Sequence, residues 1–164
     1  MNAPEKPTLA AAQSAKSPTV SQKLSEYVAG FSYDAIPPAV RERAKYLMLD
    51  AIGIAYASTH YAFAHHILSG IRSIAGNGTS SLIGLSDKLP LRDAVLMNGA
   101  LVHGLDYDDT HVGAIVHPTA SALPCAMGVA EAIDASGRDL LAAYILGVET
   151  VVRVCGAADR KSVV

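Results

Sequence analysis

Apolar residues recur at helical intervals along most of this chain, with prolines and glycines punctuating them. Val20, Leu24, Tyr27, Val28 and Phe31 follow such a spacing, with Ser17-Pro18 ahead of them as cap and first helical residue and Gly30 as the stop. Pro37-Pro38 opens a second helix. In it Val40, Ala44, Leu47, Met48, Ala51 and Ala55 share one face, while Ile52, Ile54 and Tyr56 make the second half apolar nearly all round. That pattern predicts residues 40–57 to be the most buried helix. A third helix is predicted over 62–75, closed by Gly76-Asn77-Gly78, and 80–85 reads as a strand or an extended connector. Pro90 starts a fourth helix running to about Gly104. Pro118 reopens helix to about Ala135, with Pro124 expected to kink it or delay its start. Ser136-Gly137 turns the chain into a sixth helix, capped by Asp139 and ending near Ala157.

The fold class this implies is mainly α, a helical bundle-like domain. Residues 1–18, rich in Ala, Ser, Thr, Lys and Pro and without an apolar core, read as a disordered tail rather than a targeting segment. Residues 19–158 form the helical domain and 159–164 a short C-terminal tail. At 51% hydrophobic and 17% charged, the chain holds more apolar face than its 164 residues can cover, which predicts a partner subunit or a further domain. The last helix, apolar over most of its circumference, predicts that the chain by itself associates. A net charge of -2 with no basic stripe argues against nucleic acid. No apolar run reaches the ~18 uninterrupted residues of a membrane span, so a cytoplasmic protein is expected. Cys125 and Cys155 lack metal-ligand spacing and read as reduced core thiols.

Candidate chemistry concentrates in residues 98–118, which gather three of the six histidines and three aspartates into an otherwise small and apolar stretch. Such groups are costly to bury unless paired. Asp106 and Thr110, four apart, fall on one side of a helical turn. His117 precedes Pro118 at a helix entrance, and imidazole there suits acid–base work. His103 and His111 are further candidates. Asp108, two residues from Asp106, reads instead as a cap of the following helix. His60, His65 and His66 have no carboxylate nearby in sequence and read as ordinary surface or core histidines. Asp and His clusters also bind divalent metals, but neither a paired-histidine helix motif with a glutamate nor an aspartate-rich helix run is present, so acid–base chemistry without metal is the simpler reading. No glycine-rich phosphate loop or nucleophile elbow occurs, and no cofactor is expected.

The run Asn98-Gly-Ala-Leu-Val-His103-Gly-Leu-Asp106-Tyr-Asp-Asp109-Thr110-His111, followed by His117-Pro118-Thr119, resembles the MmgE/PrpD family. Arg43-Ala44-Lys45-Tyr46-Leu47-Met48-Leu49-Asp50-Ala51-Ile52-Gly53 upstream matches it too. So do Leu123-Pro124, Ala130-Glu131-Ala132, Gly137, Asp139 and Gly147-Val148-Glu149 downstream, and the resemblance spans about residues 20–157. It implies a large helical domain with a smaller α+β lid, a homodimer, and a site between the domains that handles small di- and tricarboxylic acids without a required metal. Members are longer, so the chain is expected to be the N-terminal part of the helical domain, truncated before the lid and the lysines that hold substrate carboxylates. Alone it is expected to be inert. By the resemblance Asp106, Thr110 and His117 match the family's acidic, hydroxyl and histidine site residues and are expected to be catalytic; His103, Asp109 and His111 are further expected to contact substrate. Proton transfer next to a carboxylate follows, with dehydration of a 2-methylcitrate-like substrate expected first and decarboxylation or epimerisation as family alternatives. Rival classes are an inactive helical module that dimerises and a metal-dependent hydrolase using Asp106, Asp109 and His117. Only Lys88 and Arg92 lie near the motif in sequence as cations for an anionic substrate.

Overall fold

The computed structural model describes residues 17–157, and the expected tails otherwise lie outside the described residues. The chain divides into two compact units, one ending at Phe31 and one beginning at Ser32. The first holds α1 (Val20–Ala29). Its cap is Thr19, not Ser17. The Thr19 hydroxyl accepts from the Gln22 backbone N–H at 3.2 Å and the Gln22 side chain accepts from the Thr19 N–H at 2.7 Å, a reciprocal pair that leaves Pro18 outside the helix. No residue of α1 is buried.

The second unit runs α2 (Pro38–Ser58), α3 (Ala62–Ile74), β1 (Ser80–Leu82), β2 (Leu85–Leu89), α4 (Leu91–His103), α5 (Pro118–Ala132) and α6 (Gly137–Ala157). Its mainly helical character agrees with the periodicity, and prolines stand at or beside the starts of α2, α4 and α5. The segment expected as one strand or connector is instead a hairpin, with Ser80 opposite Leu89 and Ser81 opposite Lys88. Its turn places Gly84 at φ 71°, a left-handed conformation that glycine adopts without strain. The Asn98 side chain ties the hairpin to α4, accepting from Ile83 N–H at 2.8 Å and donating to the Ser81 carbonyl at 3.0 Å.

The most buried helix is α4, not residues 40–57. Ala94, Met97, Leu101 and Val102 are each at most 1% exposed, because α2, α3, α5 and the hairpin all pack on α4. On α2, Ala51, Ile54 and Ala55 are buried, but Tyr46, Leu49 and Tyr56 face solvent. Truncating Leu101 to Ala would cost about 2–5 kcal/mol by the usual cavity penalty. Helices α4 and α5 approach closely at Gly99, where a Cβ would stand 3.1 Å from the Ala120 carbonyl oxygen. That carbonyl is the one Pro124, lacking an N–H, cannot satisfy within the helix. Even so, α5 begins at Pro118 without delay and continues through Pro124.

α6 packs along α5 and buries Leu141 and Tyr144. Its first turn is held by Ser136, whose hydroxyl accepts from the Asp139 N–H at 3.2 Å, so Ser136 rather than Asp139 is the cap. By length and composition α6 is apolar enough to cross a membrane, although Glu149 and Arg153 interrupt its apolar run. Cys125 is exposed on α5 and Cys155 is half-buried, so neither is the core thiol expected. His60, His65 and His66 are all exposed.

Candidate functional site

The site forms where α4 ends and α5 begins, and the loop between them is shaped by three local devices. Asp106 adopts φ 58°, a left-handed conformation that aspartate tolerates better than most residues, and its N–H donates to the His103 carbonyl at 2.9 Å. Further on, the His111 N–H donates to the Val116 carbonyl at 2.8 Å, and the Ala114 N–H donates to both the carbonyl and Nδ1 of His111. Ile115 sits at φ 49°, a genuine outlier for a β-branched side chain that costs on the order of 1–3 kcal/mol. Finally, Asp109 accepts from the Thr119 N–H at 3.1 Å and so caps the start of α5, while the Thr119 hydroxyl meets the Tyr144 hydroxyl of α6 at 2.6 Å.

These constraints bring four side chains together. His103, the last residue of α4, and His117, the N-cap of α5, stand edge to face with ring centroids 4.8 Å apart. The Asp108 side chain is 1% exposed, and its Oδ1 lies 3.0 Å from His103 Nδ1, which donates to it, and 3.3 Å from His117 Nδ1. Although the His117 Nδ1 contact is within ion-pair distance, it lacks hydrogen-bond alignment: both this nitrogen and Asp108 Oδ2 are buried without a hydrogen-bond partner. The other ring nitrogen of His117 is 3.7 Å from the largely exposed carboxylate of Asp106. Hence His117 has a buried carboxylate on one side and a solvent-accessible one on the other. A cavity of about 650 Å³ opens beside the pair, lined by His103 and His117 with Leu96, Ala100, Ile115 and Cys125.

The sequence-derived candidates fall into two groups. Asp106, His103 and His117 converge. Thr110 is exposed on the same loop; His111 is exposed and its Nδ1 serves the turn at Ala114. Asp109 is engaged at the α5 cap, so the hydrolase trio of Asp106, Asp109 and His117 does not share one cluster. Asp108, read from sequence as the cap, is the buried member of the site, and Asp109 does the capping. Nothing in a run of two adjacent aspartates tells which turns inward. The left-handed residue at Asp106 decides it. Of the two nearby cations, Arg92 pairs with Asp93 at 2.9 Å and Lys88 lies 3.8 Å from Glu131, so neither serves this cluster. Among the described residues, no lysine or arginine lines the cavity.

A helical domain presenting imidazole and carboxylate groups where one helix ends and the next begins is a scaffold for acid–base chemistry. Residues 22–164 match the MmgE/PrpD N-terminal domain, and the chain belongs to the MmgE/PrpD family. It is similar to the cis-aconitate decarboxylase of Mus musculus, 29% identical over 136 residues, covering 80% of this chain and 28% of that protein. It is also similar to the enzyme of that name from Aspergillus terreus, 28% identical over 140 residues, 82% of this chain and 29% of the relative. The cis-aconitate decarboxylase of Homo sapiens is 29% identical over 136 residues, with 80% and 28% covered. The chain thus spans less than a third of the length of the curated relatives it matches.

Proposed function

We propose that this chain carries the imidazole–carboxylate half of an acid–base site that transfers a proton at a carbon next to a carboxylate in a small di- or tricarboxylic acid, without a metal. The observation that carries the reading is the placement of His117, between buried Asp108 and exposed Asp106 and facing the cavity. An imidazole flanked by two carboxylates and open to a cavity is an arrangement general acid–base catalysis uses. His117 is the proton carrier in this reading, with Asp106 as the second acid–base or orienting group. Thr110 donates a hydrogen bond to substrate in this reading. The cations needed to hold substrate carboxylates come from outside the described residues.

The relatives' names favour decarboxylation of cis-aconitate as the particular reaction. There the bond from carbon to the departing carboxyl breaks, its electron pair stays on the carbon chain, carbon dioxide leaves, and a proton from the acid group is added to carbon. Dehydration of 2-methylcitrate uses the same groups in the opposite sense: a base removes the proton, and hydroxide leaves with a proton from the acid. The half-exposed apolar length of α6 supports a homodimer on the same footing. The test is to assay this chain and a version extended to the relatives' length against cis-aconitate, 2-methylcitrate, citrate and iminodisuccinate, in buffer containing a chelator. Turnover of one of these acids by the extended protein is expected. No turnover of any of them would refute the reading in favour of a non-catalytic module.

A further inference from the structure

The four converging side chains have a second chemical capacity. His103, Asp106, Asp108 and His117 each offer one ligand atom, and these atoms all lie within 4.8 Å of one another. We propose that the cluster is a binding site for a zinc-class divalent cation, and that occupancy by the metal blocks the proton chemistry. The blocking half rests on the acid–base reading above, while the binding half stands without it.

The donor set is two imidazoles and two carboxylates, which suits zinc and its neighbours; magnesium and calcium prefer oxygen throughout. Two carboxylates also balance the charge of a divalent ion. In a tetrahedral zinc site, bonds of about 2.0–2.1 Å set the ligand atoms roughly 3.4 Å apart. Asp108 Oδ1 is already 3.0 Å from His103 Nδ1 and 3.3 Å from His117 Nδ1. Any remaining contraction is open to Asp106 and His103, whose side chains are 79% and 51% exposed.

An independent observation points to a missing ligand. Asp108 Oδ2 is a buried carboxylate oxygen with no hydrogen-bond partner, on a side chain 1% exposed, and His117 Nδ1 is buried in the same state. Lone pairs left this way are costly, and a cation chelated by both Asp108 oxygens and bound by His117 Nδ1 would satisfy both. A metal holding these lone pairs leaves His117 unable to accept or release a proton, so metal and turnover exclude each other.

The experiment titrates zinc into the chelator-stripped chain by calorimetry, with cobalt(II) as a visible-absorption probe of the ligand field. One zinc per chain is expected, with no binding of magnesium at the same concentration. Asp108→Asn and His103→Gln should each weaken zinc at least about ten-fold. His103→Gln guards against misfolding of the buried variant, since His103 is half-exposed at a helix end. Wild-type affinity in His103→Gln, or loss of binding on changing His65 and His66 to Gln instead, would overturn the site. Turnover of the extended protein in chelated buffer tests the acid–base reading separately. If that protein turns over equally well with one zinc bound at the cluster, the exclusion is overturned and the site stands.

Discussion

The ring of His103 stands edge-on to the ring of His117, with centroids 4.8 Å apart and planes at 63°. One closes α4 and the other opens α5, so their meeting depends on how closely those helices approach. Gly99 permits that approach, because a side chain there would meet the Ala120 backbone oxygen, which has no flexible end to yield. Gly99→Val should therefore destabilise the chain by about 1–3 kcal/mol, read as a lower urea midpoint. It should also lower turnover of an active extended protein by shifting the two rings apart. An unchanged midpoint would show that the helices separate there at no cost.

His117→Asn in the extended protein should reduce turnover about 10²–10⁴-fold if the ring carries the proton. Its circular dichroism spectrum and urea midpoint should stay near wild type, since the ring is only partly buried. Thr110→Val should weaken substrate binding without approaching that loss. A larger effect of Thr110→Val than of His117→Asn would reverse the two roles.

The helix order was legible because Pro38, Pro90 and Pro118 sit at or just before helix starts and the periodic apolar positions lie between them. The second hairpin strand was not. Ser86-Asp87-Lys88 has neither β-branching nor apolar alternation, and its strand state comes from pairing with Ser80–Leu82 and from Asn98 gripping the partner strand. The rank order of burial was also hidden, because it depends on how many elements surround α4 and not on α4's own pattern. Within the site, Asp106 and His117 could be found by residue type and by the proline that follows the histidine. The exchange of roles between Asp108 and Asp109 could not, since it turns on one left-handed residue and on the reach of Asp109 to an N–H ten positions later.

Glu131 joins α5 to the hairpin, and its carboxyl is held below the usual carboxylate range. The Ser81 hydroxyl is the main cause, followed by the Ser81 N–H at 2.8 Å; burial opposes them weakly and Lys88 adds to them. A carboxyl lowered on folding contributes stability above its unfolded pKa, and that contribution is lost as pH falls through the folded value. Glu131→Gln should therefore flatten the acid limb below about pH 4.5 in a plot of urea midpoint against pH. Parallel acid limbs in the two proteins would show that Ser81 contributes nothing in solution.

Tyr144 joins α6 to the start of α5 through the Thr119 hydroxyl, whose own N–H is held by Asp109. Burial pushes its phenol up from 10.0 to about 12. The Thr119 hydrogen bond acts against that rise, the Asp109 charge adds to it, and Arg43 opposes it. Because the folded pKa lies above the unfolded one, the neutral phenol's contribution is whole below pH 10 and is lost as pH climbs from 10 to about 12. Tyr144→Phe at neutral pH should cost about 1–3 kcal/mol, since the buried Thr119 hydroxyl loses its partner. Above pH 10 the variant should lose less further stability than wild type, so the two urea curves converge. If they stay parallel up to pH 12, the phenol ionises as freely in the folded chain as in the unfolded one, and the link from the motif loop to α6 is weaker than its 2.6 Å contact implies.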